Sequence, residues 1–290
     1  MKLRFFISTK IDPMIKSLKL VKLIATIKND KSSEKTIESN RFQSSENTKY
    51  LCLVEELEDR DKDKYLTYSK VELDSTSSFL PMPSNEKSRE GKVQRTIMYC
   101  AGPSGSGKST IVNSFVDNYS KLYPKNLMYM FSKVEKDPSI GHHKNLFFIN
   151  NFDDLETDPI DDISMFESSL VIMDDIDTMK KHTKNHLKEL SRDIGECGRH
   201  HNISMCITSH EICKKEETKL IISESHIVVM YLSSGYSYDY YLQKYLGMSS
   251  KQIAKLKKIA ENSRWVAIYK QFPVIILTQK LAMFLSDLDG

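Results

Sequence analysis

One octapeptide constrains the fold of this chain more than any other stretch. Residues 102–109 read Gly-Pro-Ser-Gly-Ser-Gly-Lys-Ser, which fits the pattern G-x-x-x-x-G-K-[ST] of a loop that wraps phosphate groups. A short apolar segment, residues 96–101, precedes it, and residues 110–119 carry apolar side chains at helical spacing. A strand, a glycine-rich loop and a helix in this order predict a P-loop within an α/β fold.

The residue types of this loop suit polyphosphate. Glycines allow positive φ, so the backbone N–H groups can curl around an anion, and the helix that follows turns its positive end toward it. Lys108 is placed to neutralise the β and γ phosphates, and the Ser109 hydroxyl to bind Mg²⁺. The alternative is an ordinary glycine-rich turn. We predict that ATP and Mg²⁺ bind at Gly102, Pro103, Ser104, Gly105, Ser106, Gly107, Lys108, Ser109 and Thr110.

The composition leaves the class of partner open. The chain has 290 residues, of which 40% are hydrophobic and 28% charged, as in a water-soluble globular protein of one large domain or one plus a small one. A net charge of +3 neither demands nor excludes nucleic acid. The five cysteines include no C-x-x-C pair, which argues against a disulfide framework or a zinc site. Neither a membrane-spanning run nor a secretory signal is recognised, so a cytoplasmic location is expected.

Residues 1–92 differ in pattern from the rest. Residues 16–28 alternate basic and apolar side chains, which fits a strand pair or an amphipathic segment, and residues 29–48 form a polar insert. Residues 50–54 and 65–71 resemble two strands joined by a charged turn, and residues 84–92 a linker. We therefore predict a small β-rich N-terminal module at 1–92 and an ATPase domain at 93–290.

The second part of the chain alternates strand and helix patterns. Near-continuous apolar runs predict buried strands of a mainly parallel sheet; they lie at 126–131, 147–149, 169–174, 205–208 and 226–232. Helices are predicted at 182–198 and at 238–258, the latter broken near Gly247. Residues 264–269 and 274–277 predict a closing strand pair.

Two acids follow one of these strands directly. Asp174 and Asp175 come after the apolar run 170–173, which is the pattern of a Walker B element. Asp174 would bind Mg²⁺ through water, because this cation prefers oxygen ligands and retains several waters. Asp175 would orient or deprotonate the attacking water, although Asp177 is close enough to compete for the role. The alternative is a strand that ends in a solvated acidic turn.

Further catalytic candidates are a polar strand end and two arginines. Ser209, followed by His210, comes after the run 205–208 and is placed to sense the γ-phosphate, or else simply ends the strand. Arg199 and Arg192 are candidate arginine fingers, because transition-state charge on a transferring phosphoryl group is stabilised by a guanidinium. Either arginine could instead be an ordinary solvated side chain.

Residues 96–231 resemble the FtsK–HerA superfamily of P-loop ATPases. The resemblance depends on the loop 102–109, on 170–175, and on Arg-His-His-Asn-Ile-Ser at 199–204 before a strand. It is greatest to the poxvirus-type packaging ATPases of nucleocytoplasmic large DNA viruses. The superfamily usually has glutamine where Ser209 and His210 stand, and often Asp-Glu where this chain has Asp-Asp.

The resemblance implies a RecA/ASCE-like P-loop NTPase core that hydrolyses ATP in a ring of identical subunits and pulls double-stranded DNA into capsids. The location would then be the cytoplasm of a virus-infected cell, a virus factory or the virion. Two other functions stay open from the residues. One is a small-molecule or nucleotide kinase, although no arginine-rich lid is recognised. The other is a nucleotide-gated scaffold with little turnover.

Overall fold

The computed structural model describes residues 3–8, 21–29, 49–55, 70–85, 94–134, 140, 143–152, 159–213, 215–234 and 238–289. The strands are β1 (Leu3–Ser8), β2 (Val21–Asn29), β3 (Lys49–Glu55), β4 (Lys70–Glu72), β5 (Ser77–Pro81), β6 (Ile97–Ala101), β7 (Met128–Phe131), β8 (Leu146–Ile149), β9 (Leu170–Met173), β10 (Ser204–Ser209), β11 (Ile227–Met230), β12 (Val266–Tyr269), β13 (Ile275–Thr278) and β14 (Leu281–Phe284). The α-helices are α1 (Lys108–Leu122), α2 (Lys181–Cys197), α3 (Lys215–Glu224), α4 (Asp239–Leu246) and α5 (Ser250–Ala260). Short 3-10 helices lie at Ile163–Phe166, Ile176–Thr178, Leu232–Ser234 and Leu285–Leu288.

A large mixed sheet forms the centre of the molecule. Its strand order is β4-β14-β13-β12-β11-β6-β10-β9-β7-β8. The strands from β11 to β8 are parallel, and those from β12 to β4 extend the sheet antiparallel. All residues of β6, β9, β10 and β11 are buried, as expected for a sheet covered on both faces. The prediction of an α/β fold with a mainly parallel sheet flanked by helices is confirmed.

The order of the central strands determines where the predicted motifs meet. β10 lies between β6, which leads into the glycine-rich loop, and β9, which ends before Asp174. Because these three strands are parallel, their carboxyl ends lie at the same edge of the sheet, where ligands of open α/β sheets bind. The loop and the acids, more than sixty residues apart in sequence, therefore share one edge.

The N-terminal strands form a second sheet that packs against α1. β1, β3, β2 and β5 pair antiparallel in that order. The inner face of this sheet shares a core with α1, and the Phe5 ring stacks on Phe284 at a centroid distance of 4.6 Å. The buried residues of this contact include Phe5, Ile24, Leu51, Phe79, Phe115 and Val116. The small sheet and the P-loop helix thus stabilise each other by burying apolar surface.

Two N-terminal expectations need comment. Of the strand predicted at 65–71, residues 65–69 lie outside the described residues. Its last two residues belong to β4, which pairs with β14 at the far end of the large sheet, whereas β3 pairs with β1 and β2. The described part therefore does not pair with 50–54 as predicted. Residues 30–48 of the polar insert and 86–93 of the linker lie outside the described residues. The domain boundary between 92 and 93 stays a prediction.

The remaining helices cover the faces of the large sheet. α2 directs Leu187, Leu190 and Ile194 into the core. The break expected near Gly247 is present, since this glycine has φ +64° and ends α4. Among the described residues, no helix is both long enough and apolar enough to cross a bilayer.

Truncation of one core side chain tests this packing. Leu187 on α2 is 0% exposed, so Leu187→Ala should lower the free energy of unfolding by about 2–5 kcal/mol. Asn185→Ala, at an exposed position of the same helix, should change it by no more than about 0.5 kcal/mol. Urea unfolding followed by circular dichroism measures both, and equal losses would contradict the assigned helix face.

Candidate nucleotide site

The loop between β6 and α1 has the conformation that its glycines predict. Gly105 and Gly107 have φ of +73° and +106°, and Gly107 is the residue before the helix begins at Lys108. Such φ values strain any residue with a Cβ. Gly102 is required for a different reason, because a Cβ there would lie 2.4 Å from Cδ2 of the buried Tyr231. The loop can therefore lie close against the end of β11.

Lys108 lies against the loop with its ammonium group pointing inward. Nζ donates to the carbonyl oxygen of Gly102 at 3.0 Å and is 3.4 Å from that of Pro103. The residue is 7% exposed, and Nζ is 3.7 Å from Oδ1 of Asp175. A buried cation thus sits between the loop and the acids, where it would neutralise phosphate oxygens. Ser109 and Thr110 follow it in the exposed first turn of α1.

Asp174 is a largely buried carboxylate with hydroxyl partners on both oxygens. Ser132 Oγ donates to Oδ2 at 3.2 Å, and Thr208 Oγ1 lies 2.9 Å from Oδ1. Burial raises the pKa of Asp174 and the charge of Asp175 raises it further, whereas the two hydroxyls and Lys108 lower it. The ionised form is therefore costly until a cation approaches, as expected for a carboxylate that binds a metal ion.

Asp175 follows in a left-handed backbone conformation, φ +44°. Its N–H donates to Thr208 Oγ1 at 2.8 Å, and the same hydroxyl lies 3.1 Å from Asp175 Oδ1. Nε2 of His210 is 3.3 Å from Oδ2. Positive φ at a non-glycine residue is uncommon and concentrates at functional sites. The geometry directs the Asp175 carboxylate toward Lys108.

Thr208 was not singled out from the sequence, although its hydroxyl touches both acids. It is 0% exposed and ends the apolar run of β10. Since a hydroxyl carries one proton, it can donate to only one of the two carboxylates at a time while accepting from the Asp175 N–H. The available signal was the pair of hydroxyl residues Thr208 and Ser209 at the end of an apolar strand.

The predicted sensor Ser209 directs its hydroxyl away from the two acids. Oγ donates to Oδ2 of Asp177 at 2.5 Å and accepts from the Glu211 N–H at 3.2 Å. The Ser209 carbonyl accepts from the Gly102 N–H at 3.0 Å, so this residue fastens β10 to the start of the loop. Asp177 is held by this bond, and the sensor role of Ser209 stays a prediction.

The structure does not bring the predicted arginine fingers to the loop of their own subunit. Arg199 lies in the turn that enters β10, with Nε 3.5 Å from Nε2 of His200. That turn is at the amino end of β10, six residues at about 3.3 Å each from the acids. Arg192 is exposed on α2. A finger role could act only on a neighbouring subunit and stays a prediction.

The residues at this edge fit Mg²⁺ by their chemistry. Within the described ranges, no cluster of three or more His, Cys, Asp or Glu side chains could hold a metal. Mg²⁺ rarely uses such a cluster and is bound by one or two carboxylates together with substrate phosphates and water. The carboxylate of Asp174 and the exposed hydroxyl of Ser109 are oxygen ligands of this type.

A comparison with known proteins finds a relative at moderate sequence identity. No family model matches the chain. Over 202 residues it is 37% identical to the uncharacterized protein V3 of Sputnik virophage, which covers 68% of this chain and 78% of that protein.

Solved structures resemble the chain more distantly. The genome packaging NTPase B204 of Sulfolobus turreted icosahedral virus 2, in complex with AMPPCP, is 10% identical with a TM-score of 0.42, over 64% of this chain and 98% of that one. The pCW3 conjugation coupling protein TcpA with ATPgS is 14% identical with a TM-score of 0.39, over 91% and 84%. Since both TM-scores lie below 0.5, the fold assignment rests on the strand order and loop described above.

The contact between Gly102 and Tyr231 yields a double-mutant test. Gly102→Ala should destabilise the protein by about 1–3 kcal/mol, because the new methyl group overlaps a buried ring. In a Tyr231→Ala background this cost should largely disappear. Gly105→Ala, where a Cβ meets open space, costs only backbone strain and should be equally destabilising in both backgrounds. Urea unfolding measures the cycle, and an unchanged Gly102→Ala cost would contradict the contact.

Proposed function

We propose that this chain, which belongs to the protein family of V3 from Sputnik virophage, is a P-loop ATPase of the FtsK–HerA type that depends on Mg²⁺ and hydrolyses ATP to ADP and phosphate. One observation carries the proposal: the Lys108 ammonium group lies 3.7 Å from the Asp175 carboxylate, at the carboxyl edge of adjacent parallel strands. With a loop cation and an acid this close together at one sheet edge, a γ-phosphate and its attacking water would lie within reach of both groups.

Each residue has a defined part in this reaction. The backbone N–H groups of the loop 102–109 hold the phosphate chain, and Lys108 withdraws from its carbonyl partners to bind the β and γ phosphates. Asp175 orients the water and accepts its proton, and Thr208 fixes the direction of its carboxylate. Ser109 and Asp174 would hold Mg²⁺, which supplies charge neutralisation on the phosphates.

We extend the proposal to a motor that translocates double-stranded DNA as a ring, with genome packaging as its biological use. The support is the motif at 199–204, which resembles the packaging ATPases, together with the viral origin of the relative V3. A ring would also place an arginine of one subunit, Arg199 by preference, at the nucleotide of the next. The site of action would be the infected cell, the virus factory or the virion.

Turnover by site variants tests the hydrolytic assignment. Lys108→Ala should remove measurable hydrolysis, and Asp175→Asn should lower kcat about 100-fold or more while ATP binding persists, because only the proton acceptor is lost. Asp177→Asn is the matched control and should retain most activity, since that acid is bonded to Ser209. Phosphate release without any acceptor is measured. Full activity of Asp175→Asn would contradict the assignment, and transfer to a nucleoside or nucleotide would indicate a kinase.

Duplex DNA and particle mass test the motor. We expect hydrolysis by the full chain to rise several-fold when duplex DNA is added, and light scattering with ATP to give a multiple of the 33.5 kDa subunit mass. Tight ATP binding with assembly and no turnover, even with DNA, would indicate a nucleotide-gated scaffold. A DNA-independent monomer would contradict the motor.

Removal of the Thr208 hydroxyl should shift the pH profile. The pKa of Asp174 is already raised by burial, and the Thr208 hydrogen bond lowers it. Thr208→Val removes that bond, so the pKa rises further and the carboxylate is protonated at a higher pH. Because Mg²⁺ binds the ionised form, the acidic limb of the kcat/KM profile, which reports groups of the free enzyme, should move to higher pH. Thr208→Ser retains the hydroxyl and should leave the acidic limb in place. Acidic limbs at the same pH for both variants would contradict the proposed effect of the Thr208 hydroxyl on the pKa of Asp174.

A further inference from the structure

Arg264 lies on the flank of the P-loop opposite to the acids. β12 pairs with β11 so that Val266 faces Met230, and Met230 in turn pairs with Ala101, the last residue before the loop. Arg264, two residues before Val266, is therefore at the same sheet edge as the loop. A Cβ built on Gly107 would lie 3.8 Å from Nη2 of Arg264. The guanidinium thus reaches the residue at which α1 begins.

The backbone of Arg264 is fixed by the turn between β13 and β14. Its N–H donates to Oε1 of Gln279 at 2.8 Å. Ser263 Oγ donates to the Trp265 carbonyl at 2.7 Å and accepts from the Gln279 N–H at 3.1 Å. Trp265 is 4% exposed and anchors the segment in the core. The arginine therefore extends from a rigid base, so that a ligand that orders its side chain need not also order the backbone.

The charge of Arg264 is not neutralised by an acid. The residue is exposed, and no carboxylate in the described part of the chain lies within ion-pair distance of it. Its neighbours at the loop are Gly107 and the ring of Tyr231. A guanidinium with five N–H donors beside an anion-binding loop has the geometry for two parallel hydrogen bonds to phosphate oxygens.

The strand order indicates which phosphates of a nucleotide Arg264 can reach. Lys108, Asp174 and Asp175 lie on the β10 and β9 side of the loop, where the terminal phosphate would react. Arg264 lies on the β11 and β12 side. With the terminal phosphate beside Lys108 and Asp175, the phosphates nearer the nucleoside would lie on the Arg264 side of the loop.

We propose that Arg264 binds the α- and β-phosphates of the nucleotide held by the P-loop of its own subunit. This inference rests on the proposed ATP-binding function. It differs from an arginine finger, because the residue belongs to the subunit whose loop it touches and contacts phosphates present in both ATP and ADP. Arg264 consequently contributes to ground-state binding and transition-state binding alike, and its loss should raise KM with little change in kcat.

Calorimetric titration of the full chain tests the contact with two probes, ADP and a non-hydrolysable ATP analogue. Arg264→Ala should weaken both by about tenfold, and Arg264→Lys should recover part of the loss because a point charge keeps one of the two bonds. Lys258→Ala is the matched control, since Lys258 is an exposed cation six residues earlier; it should bind as the wild type does. Circular dichroism melting of each variant checks the fold.

Competition by inorganic pyrophosphate separates phosphate contact from nucleoside contact. We expect Arg264→Ala to weaken pyrophosphate as much as ADP; weakening of ADP alone would assign the arginine to the nucleoside and overturn the proposal. Unchanged ADP affinity in Arg264→Ala, with binding abolished in Lys108→Ala, would overturn this inference and leave the proposed function standing. Absence of any nucleotide binding by the wild type would overturn both.

Discussion

Parallel hydrogen bonding of β10 to β6 on one side and to β9 on the other is the constraint on which the site depends. The register pairs Ser209 with Ala101 and Ile207 with Met173. Because side chains alternate across a strand, a slip of one residue would turn Thr208 to the opposite face of the sheet. The acids would then lose their shared hydroxyl. The buried apolar side chains of these strands fix that register, so core packing determines the geometry of the polar edge.

The polar edge is itself unfavourable for stability. Asp174 is an acid whose raised pKa reflects the cost of burying its charge, and Asp175 has a backbone conformation that most residues avoid. Lys108 and two hydroxyls offset part of this cost. Strain and uncompensated charge of this kind persist where a ligand completes the arrangement. This supports a site that is completed by a cation and a polyphosphate.

Sequence reasoning recovered the features that depend on local pattern. The P-loop follows from residue identity at fixed spacing, and the strands around it from continuous apolar runs, since both are properties of short stretches. The acids after β9 could be paired with the loop because parallel strands align their carboxyl ends. These inferences predict Lys108 and Asp175 at one edge of the sheet, where the structure has them.

Features that depend on which distant strands pair could not be predicted from the sequence. β4 has only three residues, and nothing in its local sequence distinguishes pairing with β14 from pairing with β3. Thr208 resembles any strand-end hydroxyl until its neighbour β9 is known. Arg264 reaches Gly107 across more than 150 residues of chain, through the antiparallel return of β12.

The apolar contact between the small sheet and α1 links residues 93–290 to the strands that precede them. A polypeptide starting at residue 93 would lack Phe5, Ile24, Leu51 and Phe79, the buried side chains of the small sheet that share a core with α1. Exposed apolar surface on α1 would promote aggregation. The amino-terminal strands are accordingly part of the packing that keeps the P-loop helix covered.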